Sequence, residues 1–296
     1  NLPGPPGIGI KEATSSNDNE IVQETYYATS FASVENIRSL DEDGVSPHLE
    51  KVDDMTLRLF YSSIEVKGIA VSLCDYELKC EIQGALERMS DLTIIETLDG
   101  VRRGYYVALN PQTKQKDIFT AVFSEDGLSY SNETPLGFPV DQNEIAWGVP
   151  DAVLMPDGLV RVYWVYTEDK TSDEKLVSAT SKTTKGVEFV MDPGYRLENG
   201  YVDFEVIRAV EGDWKALMSY TPHYMPEIPQ SLFYATSKDG LNWDLIEERI
   251  TPKGYSYFDP TAIQIDEKNF LVVGSAAPNT LGAREHILFT AELVLP

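Results

Sequence analysis

The chain has 296 residues and carries 48 Asp and Glu against 24 Lys and Arg, a formal net charge of −24. That charge repels nucleic-acid phosphates and anionic lipid, and no apolar run reaches the roughly 18 residues of a membrane helix, so neither nucleic acid nor membrane insertion is expected. A hydrophobic content of 42%, with 16 Tyr, 11 Phe and 4 Trp, supports a packed core and leaves cations or neutral polar molecules as suitable ligands.

The chain opens on NLPGPPGIG without an initiator Met, which reads as a trimmed end or as the mature end of an exported protein, secreted or periplasmic, the second being expected. Residues 1–19 are expected to be a flexible lead-in and residues 20–296 a single domain. EIVQETYYATSFAS, from Glu20, has the composition of a strand. ENIRSL and QGALERM are the segments that read as helical turns. Between them SLCDYELKC places Cys74 and Cys80 at a spacing that suits a disulfide across two antiparallel strands. With only 3 His in the chain, no zinc framework accompanies them.

From Ser46 onward one grammar recurs: a polar opening, an alternating strand, an acidic or glycine turn, then an aromatic-rich strand. The openings at Pro47, Asp91, Asp151, Asp203 and Asp259 are 44 to 60 residues apart. Each opening pair is followed by a third strand and usually a fourth, as in IFTAVFSEDGLSYSNE and SLFYATSKDGLNWDLI. Four strands at this period describe one blade, so the fold is expected to be all-β: a five-bladed β-propeller with four-stranded antiparallel blades. The last repeat offers three strands, TAIQI, NFLVVGS and HILFTAELVL, and the N-terminal strand is expected to close it.

FSEDGLSY and TSKDGLNW fall between the third and fourth strands of their blades. Asp239 suits a bond to its own turn and Gly240 a positive φ, so the phrase reads as a structural corner on the outer rim. It resembles the aspartate box of sialidases.

Chemistry is expected at the channel. The first strand of each blade lines it, so the openings gather His48, Asp91, Asp151, Asp203 or Glu205, and Asp259 into one ring. Converging carboxylates repel, which raises some pKa values and not others, as acid and base roles require. Asp203 and Glu205 share a strand and face the same way, so either fits its place. Trp147 and Tyr257 offer flat faces for a sugar, and His223 sits in a Pro-rich excursion near the mouth. No nucleotide-cradling loop, GxSxG or HExxH is present, and no cofactor or metal site is implied, although Asp and carbonyls around a channel suit one Ca²⁺.

WGVPDAVLMPDGLVRVYWVY, with Trp147, Pro150 and Asp151, and SYFDPTAI, with Asp259, resemble blade openings of the five-bladed propeller glycosidases, which include arabinanases, β-xylosidases and invertases. The resemblance implies a glycoside hydrolase acting on a carbohydrate, with Asp91 as base or nucleophile, Asp151 as the orienting carboxylate and Glu205 as acid. The first blade departs from the pattern, because Ser46-Pro47-His48 stands where that group commonly has an aspartate. That departure leaves a second reading, a non-catalytic propeller binding carbohydrate or protein.

Overall fold

The computed structural model describes residues 25–28, 32–140, 148–167, 174–198, 201–220, 230–252, 254–278 and 286–295. The strands pair into five separate antiparallel sheets, the blades of a five-bladed propeller. Blade 1 comprises β3 (Val45–Lys51), β4 (Leu57–Ser63), β5 (Gly68–Cys74) and β6 (Cys80–Leu86). Blade 2 comprises β7 (Ser90–Glu96), β8 (Arg102–Leu109), β9 (Lys116–Phe123) and β10 (Tyr130–Pro139). Blade 3 holds β11 (Asp151–Leu154), β12 (Val160–Tyr166), β13 (Lys175–Ser181) and β14 (Phe189–Met191), with the short β15 (Leu197–Glu198) also on β13. Blade 4 holds β16 (Tyr201–Val210), β17 (Asp213–Tyr220), β18 (Ser231–Ser237) and β19 (Trp243–Ile246).

Blade 5 is built from both ends of the chain. β20 (Tyr255–Gln264), β21 (Asn269–Pro278) and β22 (Ile287–Val294) are joined by β2 (Ser33–Asp43), and β1 (Thr25–Ala28) adds a fifth strand outside it. The closing strand is therefore mainly β2, slightly downstream of the segment that sequence alone suggests. ENIRSL lies inside β2 and the first half of QGALERM inside β6, so both readings as helical turns are corrected. Pairing with a neighbour outweighs local propensity there.

Burial explains the strand compositions. Middle strands are covered on both faces by adjacent blades and read as continuous apolar runs, as in LRLFYSS of β4, whose first five residues are buried. The outer β6, CEIQGAL, is mostly exposed. Five buried clusters fill the five seams. The last places Leu49, Leu57 and Leu59 of blade 1 against Val273 and Leu288 of blade 5, which closes the ring. Cys74 and Cys80 pair directly across β5 and β6 and form a disulfide.

The SKDG corner ties blades together as well as turning a hairpin. Against the cost of burial, the amides of Asn242 and Leu241 hold Asp239 down to about 2. Blade 3 reaches over to the same turn: Tyr163 donates its hydroxyl to the Gly240 carbonyl at 2.7 Å, and Arg161 donates to the Asp239 carbonyl at 2.9 Å. Blade 2 does the same to blade 3, where Tyr105 donates to the Gly186 carbonyl at 2.7 Å. Gly240 has φ +68°, and a Cβ there would lie 2.8 Å from the Trp214 ring and the Tyr163 hydroxyl. Gly240→Ala is therefore expected to cost at least about 1–3 kcal/mol, read as a lower urea midpoint with an unchanged m-value.

Candidate active site at the channel mouth

The innermost strands enter the channel through a repeated irregularity. Register shifts interrupt β3 between Val45 and His48, β7 between Ser90 and Thr93, β16 between Tyr201 and Asp203, and β20 between Phe258 and Thr261. Within three of these shifts Ser46, Asp91 and Asp259 have φ of 50°, 52° and 47°, and Val149, at the matching place before β11, has φ of 40°. A bulge of this kind inserts a residue and re-aims its side chain. A left-handed φ is costly for a β-branched residue such as Val149, and such strain persists only where the surroundings impose it. Ser46, His48, Asp91, Asp203, Glu205 and Asp259 line a cavity of about 30 Å³ at these entrances, together with apolar residues and Thr93.

Two tiers of hydrogen bonds run around the ring in one direction, each from a side chain to a backbone amide of the next blade. In the first tier His48 Nε2 accepts from Ile94 N–H at 3.1 Å, Asp151 accepts from Val206 N–H at 2.8 Å, and Thr261 Oγ1 accepts from Leu49 N–H at 3.3 Å. Glu205 accepts from Ala262 N–H in the same manner. In the second tier, two residues earlier in the repeat, Asp203 accepts from Asp259 N–H at 3.0 Å and Asp259 from Ser46 N–H at 3.1 Å. The innermost strands are paired along one edge only, and these bonds supply partners on the open edge. Asp91 differs. Its two oxygens accept from serine hydroxyls, Ser46 Oγ at 2.6 Å and Ser90 Oγ at 3.0 Å.

The carboxyls are not equivalent in charge. Burial and then the charge of Asp151 push Glu205 well above the usual range, while Thr261 donates to it at 3.1 Å. Burial raises Asp151 too, opposed by the Val206 amide and by Glu205. The two carboxyls share a hydrogen bond and hold one proton between them, which belongs to the pair and not to either residue alone. Asp151 is buried behind Glu205 and does not line the cavity. Burial, followed by the charge of Asp259 and a hydrogen bond shared with its carboxyl, pushes Asp203 well up. Burial pushes Asp91 to about 6, with Ser46 opposing and Asp259 adding to the rise.

The remaining candidates divide. His48 borders the cavity, but burial lowers it to about 4 and its Nε2 is an acceptor, so the ring is neutral and engaged in the blade seam. Ser46, His48 and Asp91 do not form a nucleophilic relay, because Ser46 donates directly to Asp91. Tyr257 is 1% exposed and edge-on to Phe289 in the seam between blades 4 and 5, which leaves it no free face for a sugar. Trp147 and His223 lie outside the described residues. Among the described residues no group of three or more His, Cys, Asp and Glu is placed to hold a metal ion. The hydroxyls of Ser46, Ser90, Thr261 and Ser275 belong to the site yet were not singled out by sequence. For Ser46, Ser90 and Thr261 the signal is a Ser or Thr at or beside the repeat position where other blades carry a carboxylate, whereas Ser275, on β21, has none.

No protein-family model and no curated protein matches the chain. Solved structures do match its fold. A thermostable family-43 glycoside hydrolase superposes with a TM-score of 0.65 at 13% identity, over 87% of this chain and 93% of that one. An endo-arabinase from Bacteroides thetaiotaomicron gives 0.62 at 14% identity, over 84% and 94%. A family 117 glycoside hydrolase from the marine bacterium Zobellia galactanivorans gives 0.61 at 12% identity, over 89% and 90%. The chain therefore shares the five-bladed propeller of these glycoside hydrolases, at identities that speak for the fold alone.

Proposed function

We propose that the chain is an exported glycoside hydrolase that cleaves a neutral or weakly charged glycan at the mouth of its central channel. The observation that carries this reading is the gathering of Asp91, Asp203, Glu205 and Asp259 around one cavity, where burial and the charge of Asp151 raise Glu205 well above the usual range while Asp91, raised only to about 6, is ionised at neutral pH. Glycoside cleavage needs one protonated carboxyl to deliver a proton to the leaving oxygen and one ionised carboxylate to act as base or nucleophile. Glu205 suits the first role, Asp151 its tuning, and Asp91 the second. The cavity of about 30 Å³ holds about two water molecules, so a sugar ring would lie over its opening.

Among the described residues the lining contains no Lys or Arg, which disfavours a phosphorylated substrate. A disulfide between Cys74 and Cys80 suits an oxidising compartment and supports export. A second reading, a non-catalytic propeller binding carbohydrate, draws on a specific observation: Asp151, Asp203 and Asp259 all bond amides of the next blade and so have a structural use.

Turnover of a panel of aryl and oligomeric glycosides separates the two. The hydrolase reading expects cleavage by the wild type and its loss, by about 10²-fold or more, in Asp91→Asn. An inert wild type across the panel, with carbohydrate binding detected by calorimetry, would establish the binding module instead.

A further inference from the structure

Ser46 occupies the first-blade position that matches Asp91, Asp203 and Asp259 in three other blades, and it shares their location at a bulge. Its backbone and side chain point to two different acids. The amide donates to Asp259 Oδ2 at 3.1 Å, an oxygen also bonded by Ser275 Oγ at 2.8 Å. The hydroxyl donates to Asp91 Oδ1 at 2.6 Å. Asp259 thus fixes the Ser46 backbone in its left-handed turn, and the turn aims the hydroxyl across the seam at Asp91.

We infer that Ser46 is the positioning residue through which the first blade acts on Asp91, setting the orientation and the basicity of a carboxylate that belongs to the second blade. The inference rests on the reading of Asp91 as base or nucleophile. A hydroxyl at 2.6 Å stabilises the ionised carboxylate and fixes one oxygen, which leaves the other geometry to Ser90 at 3.0 Å. An aspartate at position 46 would instead put a third charge beside Asp91 and Asp259 and raise Asp91 further. The groups that act on Asp91 are Ser46, Ser90, the charge of Asp259, which raises it, and Lys116, which lowers it. His48, Asp203 and Glu205 face the same cavity.

The test is the pH profile of kcat/KM for Ser46→Ala and Ser46→Gly. Glycine accepts the positive φ without strain, so agreement between the two variants separates hydroxyl loss from backbone effects. Because the hydroxyl favours the ionised form, its removal raises Asp91, and the ascending acidic limb is expected to move to higher pH by about half a unit or more in both variants. kcat is expected to fall more than KM changes. Folded variants whose acidic limb superimposes on the wild type would overturn the assignment. Asp91→Asn keeps the two questions apart: an inactive Asp91→Asn with unshifted Ser46 variants defeats only the role of Ser46, whereas an active Asp91→Asn defeats the reading of Asp91 itself.

Discussion

Glu205→Gln is expected to lower hydrolysis of a glycoside with a poor leaving group by about 10²–10⁴-fold, the usual contribution of a positioned general acid. The substitution is close to isosteric. Its amide oxygen still accepts from Thr261 and from the Ala262 amide, and its amide nitrogen still donates to Asp151. Thermal unfolding is therefore expected to change little. What disappears is the transferable proton, so the deficit is expected to shrink for an activated phenolic leaving group that departs without protonation. A uniform loss across leaving groups, accompanied by a large drop in melting temperature, would mean that Glu205 serves the seam between blades 4 and 5 and not the chemistry.

The second large effect is on stability. Asp91, Asp151, Asp203 and Glu205 are all raised by burial. In the unfolded chain such groups ionise near pH 4. Above that pH the folded state binds more protons than the unfolded one, and stability then falls as pH rises, until each group has ionised in the fold as well. His48, lowered to about 4, opposes this trend below its unfolded value of about 6.5, because there the unfolded state is the one that gains a proton. Turn aspartates held low, such as Asp239, lose their contribution only below about pH 4.

The unfolding free energy is thus expected to be largest at about pH 5 and to decline from there to pH 8, because below about 6.5 His48 offsets at most one of the four raised carboxyls. Asp203→Asn isolates the effect. Its side chain keeps an acceptor for the Asp259 amide, removes a buried ionisation facing Asp259, and is expected to flatten the decline. The gain at pH 8 is about 1.4 kcal/mol for each pKa unit by which Asp203 is raised. Urea midpoints at pH 5, 6.5 and 8 check this, and an equally steep decline in the variant would refute it.

What was legible in the sequence is local or repeats locally. Strands such as LRLFYSS and RVYWVY carry their burial in their composition, the SKDG corner carries its turn in Asp239 and Gly240, and Cys74 and Cys80 are six residues apart across one hairpin. The period of the openings was enough to predict five blades and a ring of acids. Less legible were the elements whose conformation depends on a partner. ENIRSL is a strand because β22 lies beside it, and Tyr257 is buried because Phe289 and the neighbouring blade cover it.

The sequence by itself determined that the chain is an acidic, all-β propeller whose blade openings bring carboxylates toward one axis, because alternation, turn chemistry and repeat period are properties of short stretches. Only the tertiary structure decided how those acids are shared out. Asp151 meets Glu205 and Asp203 meets Asp259 across seams between segments more than fifty residues apart, while Asp91 is met by Ser46 from the preceding blade. A carboxyl's proton depends on burial and on the charges within a few ångströms, and both are set by which blades become neighbours.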